Sequence, residues 1–417
     1  MKFKKTLNFF TYDFPYKGND SKFIIDEFNF LAKKFEKLNI IPLKKNSERT
    51  IIKNNNIFVD YDYAKQIFSY ISLPHKIFNI LLCKYFWSEI FSLKLNKNFL
   101  KKIKTIFIER FIAESFCYFL KKKGKYNDKN IYYSFWANHT LLGFFFAKKK
   151  KLIKFCFSRI LGSDLKGFIP NDNFIAFKVQ KYASLNDVII LNDEQKSILT
   201  NENLIEKHKI HKNYLGINSQ LNQVIKLPNN NTIAFASCGS LIHVKNTLEI
   251  LKFLISFSKI AINYKVIYYC IGLGTEKKEI KRFAKDNAPK NLNFQYIEKV
   301  PRLVEFLNEK EVNFFLNFSF SEGVSFALME ALSCSIPAIC SKIPGNMEIV
   351  NDENGYLIDN FSVKNYSDTS IKILNDIKTN NYSTKANNCH KIVEEKLSRE
   401  ICLDQYDSLL DKIINKN

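Results

Sequence analysis

Two glutamates stand in the otherwise apolar run "FSFSEGVSFALMEALSCSIPAICS", from Phe318 to Ser341. They are Glu322 and Glu330, with seven residues between them. A carboxylate is seldom buried without a partner, so each needs a role. "VNFFLNFS" reads as a buried strand and "VSFALMEALS" as a helix. Glu322-Gly323 then occupies the turn at the strand's carboxyl end. In open α/β sheets ligands bind at that end, and a helix start there favours a phosphate. Eight residues of helix rise roughly 12 Å, with a rotation that keeps both carboxylates broadly on one side. That is about the span from a hexose, across a diphosphate, to a ribose. Two acceptor-only groups so placed suit the hydroxyls at both ends of a nucleotide sugar, with the phosphates facing the helix start. The plainer alternative makes Glu322 a cap-region residue and Glu330 a half-buried member of an ion pair.

The elements that would position these residues alternate in type. "TLNFFTY" reads as a buried strand, "DFPYKGNDS" as a loop, "KFIIDEFNFLAKKFEKL" as a helix and "NIIPL" as the next strand. "NIYYSF", "KLIKFCFSRI" and "NDVIILN" are further strand candidates. So are "TIAFASCGSL", "KVIYYCIGLG" and "IPAICS", with helical patterns such as "KNTLEILKFLISFSKIA" between them. This order predicts two doubly wound parallel α/β domains in tandem. The polar stretch "GINSQLNQVIKLPNNNT" is the expected linker. The predicted boundaries are 1–216 for the first domain, 217–231 for the linker and 232–395 for the second domain. A final helix, 396–417, is expected to pack back on the first. Residues 81–126 break the alternation with a helical, aromatic and strongly basic pattern. This segment suits a membrane interface, or equally a pair of packed helices with solvated lysines.

Composition narrows the class. A chain of 417 residues exceeds one ordinary core. No apolar stretch is long enough to predict a membrane-spanning helix. The start, "MKFKKTLNFFTYDFP", lacks the length and cleavage site of a secretory signal. The nine cysteines are scattered, without metal-ligand spacing, as expected of reduced thiols in a cytoplasmic protein. The formal charge of +22 comes almost wholly from lysine. No nucleic-acid-binding module accompanies it, so a nucleic-acid partner is not expected. An anionic membrane surface is, at the inner face of the cytoplasmic membrane.

The run "SFSEGVSFALMEALSCSIPAICSKIPGNMEIVNDENGYLI" resembles the E-x7-E signature of retaining family-four glycosyltransferases. "FASCGSLIHVKNTLEIL" resembles that family's glycine turn and phosphate-binding lysine, and "CIGLGTEKKEI" its next strand and glycine loop. "TYDFPYKGNDSKFIIDEFNFLAKKF", "YYSFWAN" and "SRILGSDL" resemble segments of its first domain. The resemblance covers most of the chain and is densest from Thr232 to Asp359.

It implies the GT-B fold, two Rossmann-like domains facing a central cleft. It also implies a hexosyltransferase of surface-polysaccharide assembly (lipopolysaccharide, capsule or exopolysaccharide). Glu322 would bind the transferred sugar near the reacting carbon, and Glu330 the ribose. Lys245 would neutralise the departing diphosphate. Gly239, Ser240, Gly323 and the amides of Val324 and Ser325 would face the donor, with Gly18 approaching from the other domain. The donor is expected to be a UDP-sugar rather than a GDP-sugar, and the acceptor a lipid-linked or glycan chain. No cofactor and no metal are expected.

Two positions depart from the family pattern. Ser240 stands where an arginine usually follows the glycine, and Leu161 where a histidine is common. His139 and Asp164 are the candidates to serve the acceptor side instead. Asp60-Tyr61-Asp62 spells the manganese motif of a different glycosyltransferase fold, and GT-B enzymes do not use it. The departures keep a second reading open, a catalytically degenerate GT-B protein that binds sugar nucleotides or a partner.

Overall fold

Strands buried on both faces form parallel sheets when helices cover the two sides. In the computed structural model they do so twice. The structure describes the chain except residues 1, 17–20, 45–54, 68–72, 125, 163, 166–171, 220–224, 229–230 and 417, and of residues 21 and 22 the backbone alone.

Contacts divide the chain into two units, Met1–Asn213 with Gln405–Asn417, and Tyr214–Asp404. The first unit holds β1 (Phe3–Thr11), β2 (Phe35–Pro42), β3 (Ile57–Val59), β4 (Ile131–Ser134), β5 (Phe155–Arg159), β6 (Asp187–Ile190) and β7 (Ile210–Lys212). Their order in the sheet is β3-β2-β1-β4-β5-β6-β7, and all paired neighbours run parallel. The second unit holds β8 (Thr232–Cys238), β9 (Lys265–Ile271), β10 (Leu292–Ile297), β11 (Phe314–Asn317), β12 (Ala338–Ser341) and β13 (Gly355–Ile358). Their order is β10-β9-β8-β11-β12-β13, again parallel. Both are doubly wound Rossmann-like sheets, the pair of domains that makes up the GT-B fold. In each, the winding reverses beside the first strand, between β1 and β4 and between β8 and β11. Crevices open at such reversals.

Local boundaries differ from expectation at instructive places. The first helix ends at Lys34, and "FEKL" begins β2 instead of continuing the helix. Phe35 pairs with Phe3 of β1 and is fully buried, so sheet pairing overrides the helical period. Residues 81–126 are helical as expected, over Lys84–Phe91 and Phe99–Lys123, the second capped by Gly124 at φ +62°. Within the expected linker, Ile217 bridges to Ser398, and the Lys226 carbonyl accepts from Asn313 Nδ2 at 2.8 Å and Tyr382 Oη at 2.9 Å.

The last helix, Arg399–Asn415, begins in the second unit and ends in the first. Its Tyr406 Oη donates to Glu27 Oε1 at 2.6 Å. Arg159 NH2 lies 2.9 Å from Glu27 Oε2, and NH1 donates to the Asn213 carbonyl at 2.8 Å. This buried carboxylate is thus paired and hydrogen-bonded, which burial demands. Breaking it from one side would strand a charge.

Candidate active site

The cleft of the second unit forms at the β8–β11 reversal. The loop after β8 first prolongs the sheet: Gly239 N–H donates to the Ile271 carbonyl at 3.0 Å, and Leu241 N–H to the Leu273 carbonyl at 2.8 Å. The loop after β9 approaches so closely that only glycine fits. A Cβ on Gly272 would meet the Gly239 oxygen at 1.8 Å, and one on Gly274 the Leu241 oxygen at 2.1 Å. His243–Lys245 then form one 3-10 turn, and Asn246 opens the helix Thr247–Ile260.

Two bonds lock this loop to the one after β11. Phe320 N–H donates to the Val244 carbonyl at 2.9 Å, and Asn246 Nδ2 to the Phe318 carbonyl at 3.3 Å. The clamp sets Lys245 Nζ 2.5 Å from Glu322 Oε1. Ser319 Oγ donates to the same oxygen at 2.7 Å. Glu322 is mostly buried and Lys245 half-exposed. A cleft opens beside the pair, lined by Gly239, Ser240, Thr247 and Asn317 among others.

The Glu322-Gly323 turn rests on Gly345. A Cβ there would meet the Glu322 oxygen at 2.4 Å and the Gly323 oxygen at 2.6 Å, both backbone atoms. The neighbouring Asn346 is fully buried and donates Nδ2 to the Ser341 carbonyl at 3.0 Å. Ser341 Oγ in turn donates to the Ser319 carbonyl at 2.6 Å. The end of β12 therefore supports the loop after β11.

Of the residues expected here, Glu322, Lys245, Gly239 and Ser240 come together in one cleft. Val324 and Ser325 do not open the helix. It runs Phe326–Ser333, with Ser325 as its cap, Oγ accepting from Leu328 N–H at 3.4 Å. Serine competes with the backbone for hydrogen bonds, so it favours the cap over the helix interior. Glu330 lies on this helix, partly exposed and outside the cleft's lining. Gly18 lies outside the described residues. His243, which could have replaced the missing arginine, is exposed, with its ring 5.3 Å from that of Phe320.

Ser319, Asn246 and Gly345 went unread in the sequence. The one local hint was a serine three residues before Glu322.

His139 and Asp164 belong to the first unit. His139 borders a cleft at the carboxyl ends of β1 and β2, shared with Tyr12, Leu43, Lys44 and Tyr61. His139 Nδ1 and Lys181 Nζ each lie 2.8 Å from Glu109 Oε1. Burial alone would raise the Glu109 pKa, but Lys181 and His139 outweigh it and hold it at about 2. That carboxylate stays ionised beside the imidazole.

Asp164 does not face this cleft. It is buried, and its Oδ2 accepts from the Leu161 N–H at 2.8 Å and the Ala137 N–H at 3.2 Å. It ties the loop after β4 to the loop after β5. Asp60 and Asp62 are also engaged: Tyr126 Oη donates to Asp60 at 2.6 Å, and Lys123 pairs with Asp62.

Burial pushes the Asp164 pKa up to about 6, despite the two backbone donors. Its folded pKa exceeds its unfolded one. Its contribution to stability is therefore complete below about pH 4 and is lost as pH rises through about 6. Asp164→Asn keeps an acceptor for both N–H groups and removes the titration. Between about pH 4 and pH 7 the parent should lose on the order of 2–3 kcal/mol that the variant does not. Urea unfolding at both ends of that range checks this. Parallel pH dependence in the two proteins would contradict it.

Residues 219–388 match the family described as "Glycosyl transferases group 1". The matched span contains the whole cleft of the second unit. No curated protein matches the chain by sequence. Among solved structures, the lipopolysaccharide outer core galactosyltransferase WaaB is similar over 99% of this chain and 100% of its own, with TM-score 0.68 and 14% identity. Anabaena HepE, solved with UDP and glucose, is similar over 98% and 99%, with TM-score 0.66 and 12% identity. The pneumococcal O-GlcNAc transferase GtfA, solved with UDP and GlcNAc, has TM-score 0.55 and 16% identity. That likeness covers 75% of this chain, which spans 60% of GtfA's length. At such identities the structural likeness carries the fold.

Proposed function

We propose that the protein is a retaining glycosyltransferase that moves a hexose-type sugar from a UDP-sugar to a growing surface glycan. The observation that carries this reading is the Lys245–Glu322 pair, 2.5 Å apart at the reversal of the second sheet. A cation there would neutralise the diphosphate as it leaves, where charge builds in the transition state. When a diphosphate enters, Lys245 would exchange part of its contact with Glu322 for phosphate oxygens. Glu322, still held by Ser319, would then accept from the sugar's hydroxyls. Glu330 is assigned to the ribose and the turn Gly323–Ser325 to the phosphates. Lysine and the helix start would balance the diphosphate without a metal ion. Ser240 leaves room in the cleft where a second cation would stand. The group 1 match over residues 219–388 supports the reaction class. The UDP in the HepE and GtfA structures supports the nucleotide. The glycan acceptor is supported by the kind of transferase that WaaB is. We place the acceptor at the first unit's cleft beside His139.

The test is hydrolysis and transfer with a panel of UDP- and GDP-sugars and membrane extract as acceptor source, in EDTA. Turnover should persist in chelator, prefer UDP-sugars and give a product with the donor's anomeric configuration by NMR. Inversion, or activity restored only by manganese, would overturn the mechanism. Nucleotide binding without any turnover would instead leave the degenerate binder suggested by Ser240 and Leu161.

A further inference from the structure

The helices Leu73–Leu81, Lys84–Phe91 and Phe99–Lys123 of the first unit carry an apolar surface that is exposed among the described residues. Among the described residues, 20 large apolar side chains are exposed, and nine of them fall between Phe78 and Ile108. Their exposure is high where it matters most: Phe91 is 80% exposed, Leu95 84% and Leu100 78%. Ring contacts join part of this set. Trp87 Nε1 donates to the Leu81 carbonyl at 2.7 Å, and its ring stacks on Phe91 with centroids 6.0 Å apart. The Phe86 ring joins Trp87 at 5.3 Å to Phe107 at 6.4 Å. Clustering of this kind on a soluble surface marks an interaction site.

The fully exposed charges between Leu73 and Ile108 are all lysines. Lys84, Lys94, Lys97, Lys101 and Lys104 are all exposed. The remaining lysines of the stretch are buried and engaged: Lys76 with the Gln66 carbonyl, and Lys102 with Asp172 at 2.8 Å. Glu89 is the single carboxylate between Leu73 and Ile108, and it accepts from the Phe177 N–H at 2.8 Å. No helix among the described residues is long and apolar enough to cross a membrane.

We propose that this face docks on the surface of an anionic lipid bilayer. Phe91, Leu95 and Leu100 enter the acyl boundary. Trp87, with its polar edge satisfied, lies at the headgroup level, as tryptophan does at membrane interfaces. The lysines extend outward to anionic headgroups while their stems cover apolar surface. A second copy of the chain is the poorer occupant, because two-fold pairing would set lysines against lysines. The inference stands apart from sugar transfer, since lipid binding is measured without turnover.

The experiment is co-sedimentation of the full chain with phosphatidylcholine vesicles and with vesicles that also contain phosphatidylglycerol. The parent should bind the anionic vesicles at least about tenfold more tightly, and less so as salt rises. Phe91→Ser with Leu95→Ser, and separately Lys97→Glu with Lys101→Glu, should each lower that binding at least about tenfold. All four side chains are exposed, so thermal unfolding should match the parent and confirm that both variants fold. Equal binding to neutral and anionic vesicles would overturn the proposal. So would anionic binding untouched by either pair of changes. Parent protein that ignores both vesicles but forms a dimer broken by Phe91→Ser would overturn it in favour of self-association.

Discussion

Lys245→Ala should lower turnover by roughly two to three orders of magnitude, the usual effect of removing one preorganised group from a developing charge. Three features make this the largest single effect expected on chemistry. The ammonium is held in place by the loop clamp from Phe320 and Asn246, so it needs no reorganisation as the reaction proceeds. Its partner Glu322 is mostly buried, so solvent screens the pair weakly. And Ser240 offers no cation to replace it. In the proposed reaction the loss should fall mainly on kcat, because a diphosphate carries more charge when leaving than when bound. Removing Lys245 also leaves Glu322 with Ser319 as its remaining named donor, beside an anionic ligand. Donor binding should therefore weaken as well, but by less. Steady-state kinetics together with calorimetric titration of UDP separate the two effects. A variant with unchanged kcat and a raised KM would assign Lys245 to uniform binding and remove its catalytic role.

What the sequence made legible follows position in the sheet. β1, β4, β8, β9, β11 and β12 sit inside their sheets and read as largely apolar runs. The strands that went unread are β3, β7, β10 and β13, which are the four sheet edges. β3 and β7 are three residues long, and β10 is mostly half-exposed. An edge strand needs no two-faced apolar run, so periodicity has little to detect. The same division holds in the cleft. Glu322 and Lys245 announce themselves as charges in apolar or glycine-rich surroundings. Asn246 acts on Phe318 across 72 residues of chain. Gly345 acts on Glu322 across a strand and a helix. Such roles exist only once the sheet has brought its loops together, and a single sequence carries no mark of them. Leu161 shows the converse. The sequence marks it as a departure from the family's histidine but gives no sign that its backbone N–H serves Asp164 or that its side chain is buried.

Gly345→Ala is the second large effect, and it tests whether the turn is held from behind. The added methyl would lie 2.4 Å from the Glu322 oxygen and 2.6 Å from the Gly323 oxygen, closer than real Cβ contacts allow. Those atoms are backbone, so no side chain can swing away to relieve the clash. Either Gly345 or the Glu322-Gly323 turn must move. The Gly345 side is anchored by buried Asn346, whose Nδ2 donates to the Ser341 carbonyl at 3.0 Å. On the turn side, Glu322 borders the open cleft, into which the turn can shift. The turn should therefore yield, and Glu322 with it. Overpacking of this kind costs about 1–3 kcal/mol of stability. A displacement of even about 1 Å at the carboxylate proposed to bind the sugar can cost on the order of a hundredfold in rate. The signature is a modest fall in unfolding midpoint beside a much larger fall in kcat/KM. Equal, small losses in both would mean that the β12 side moves instead, and that Gly345 does not set the position of Glu322.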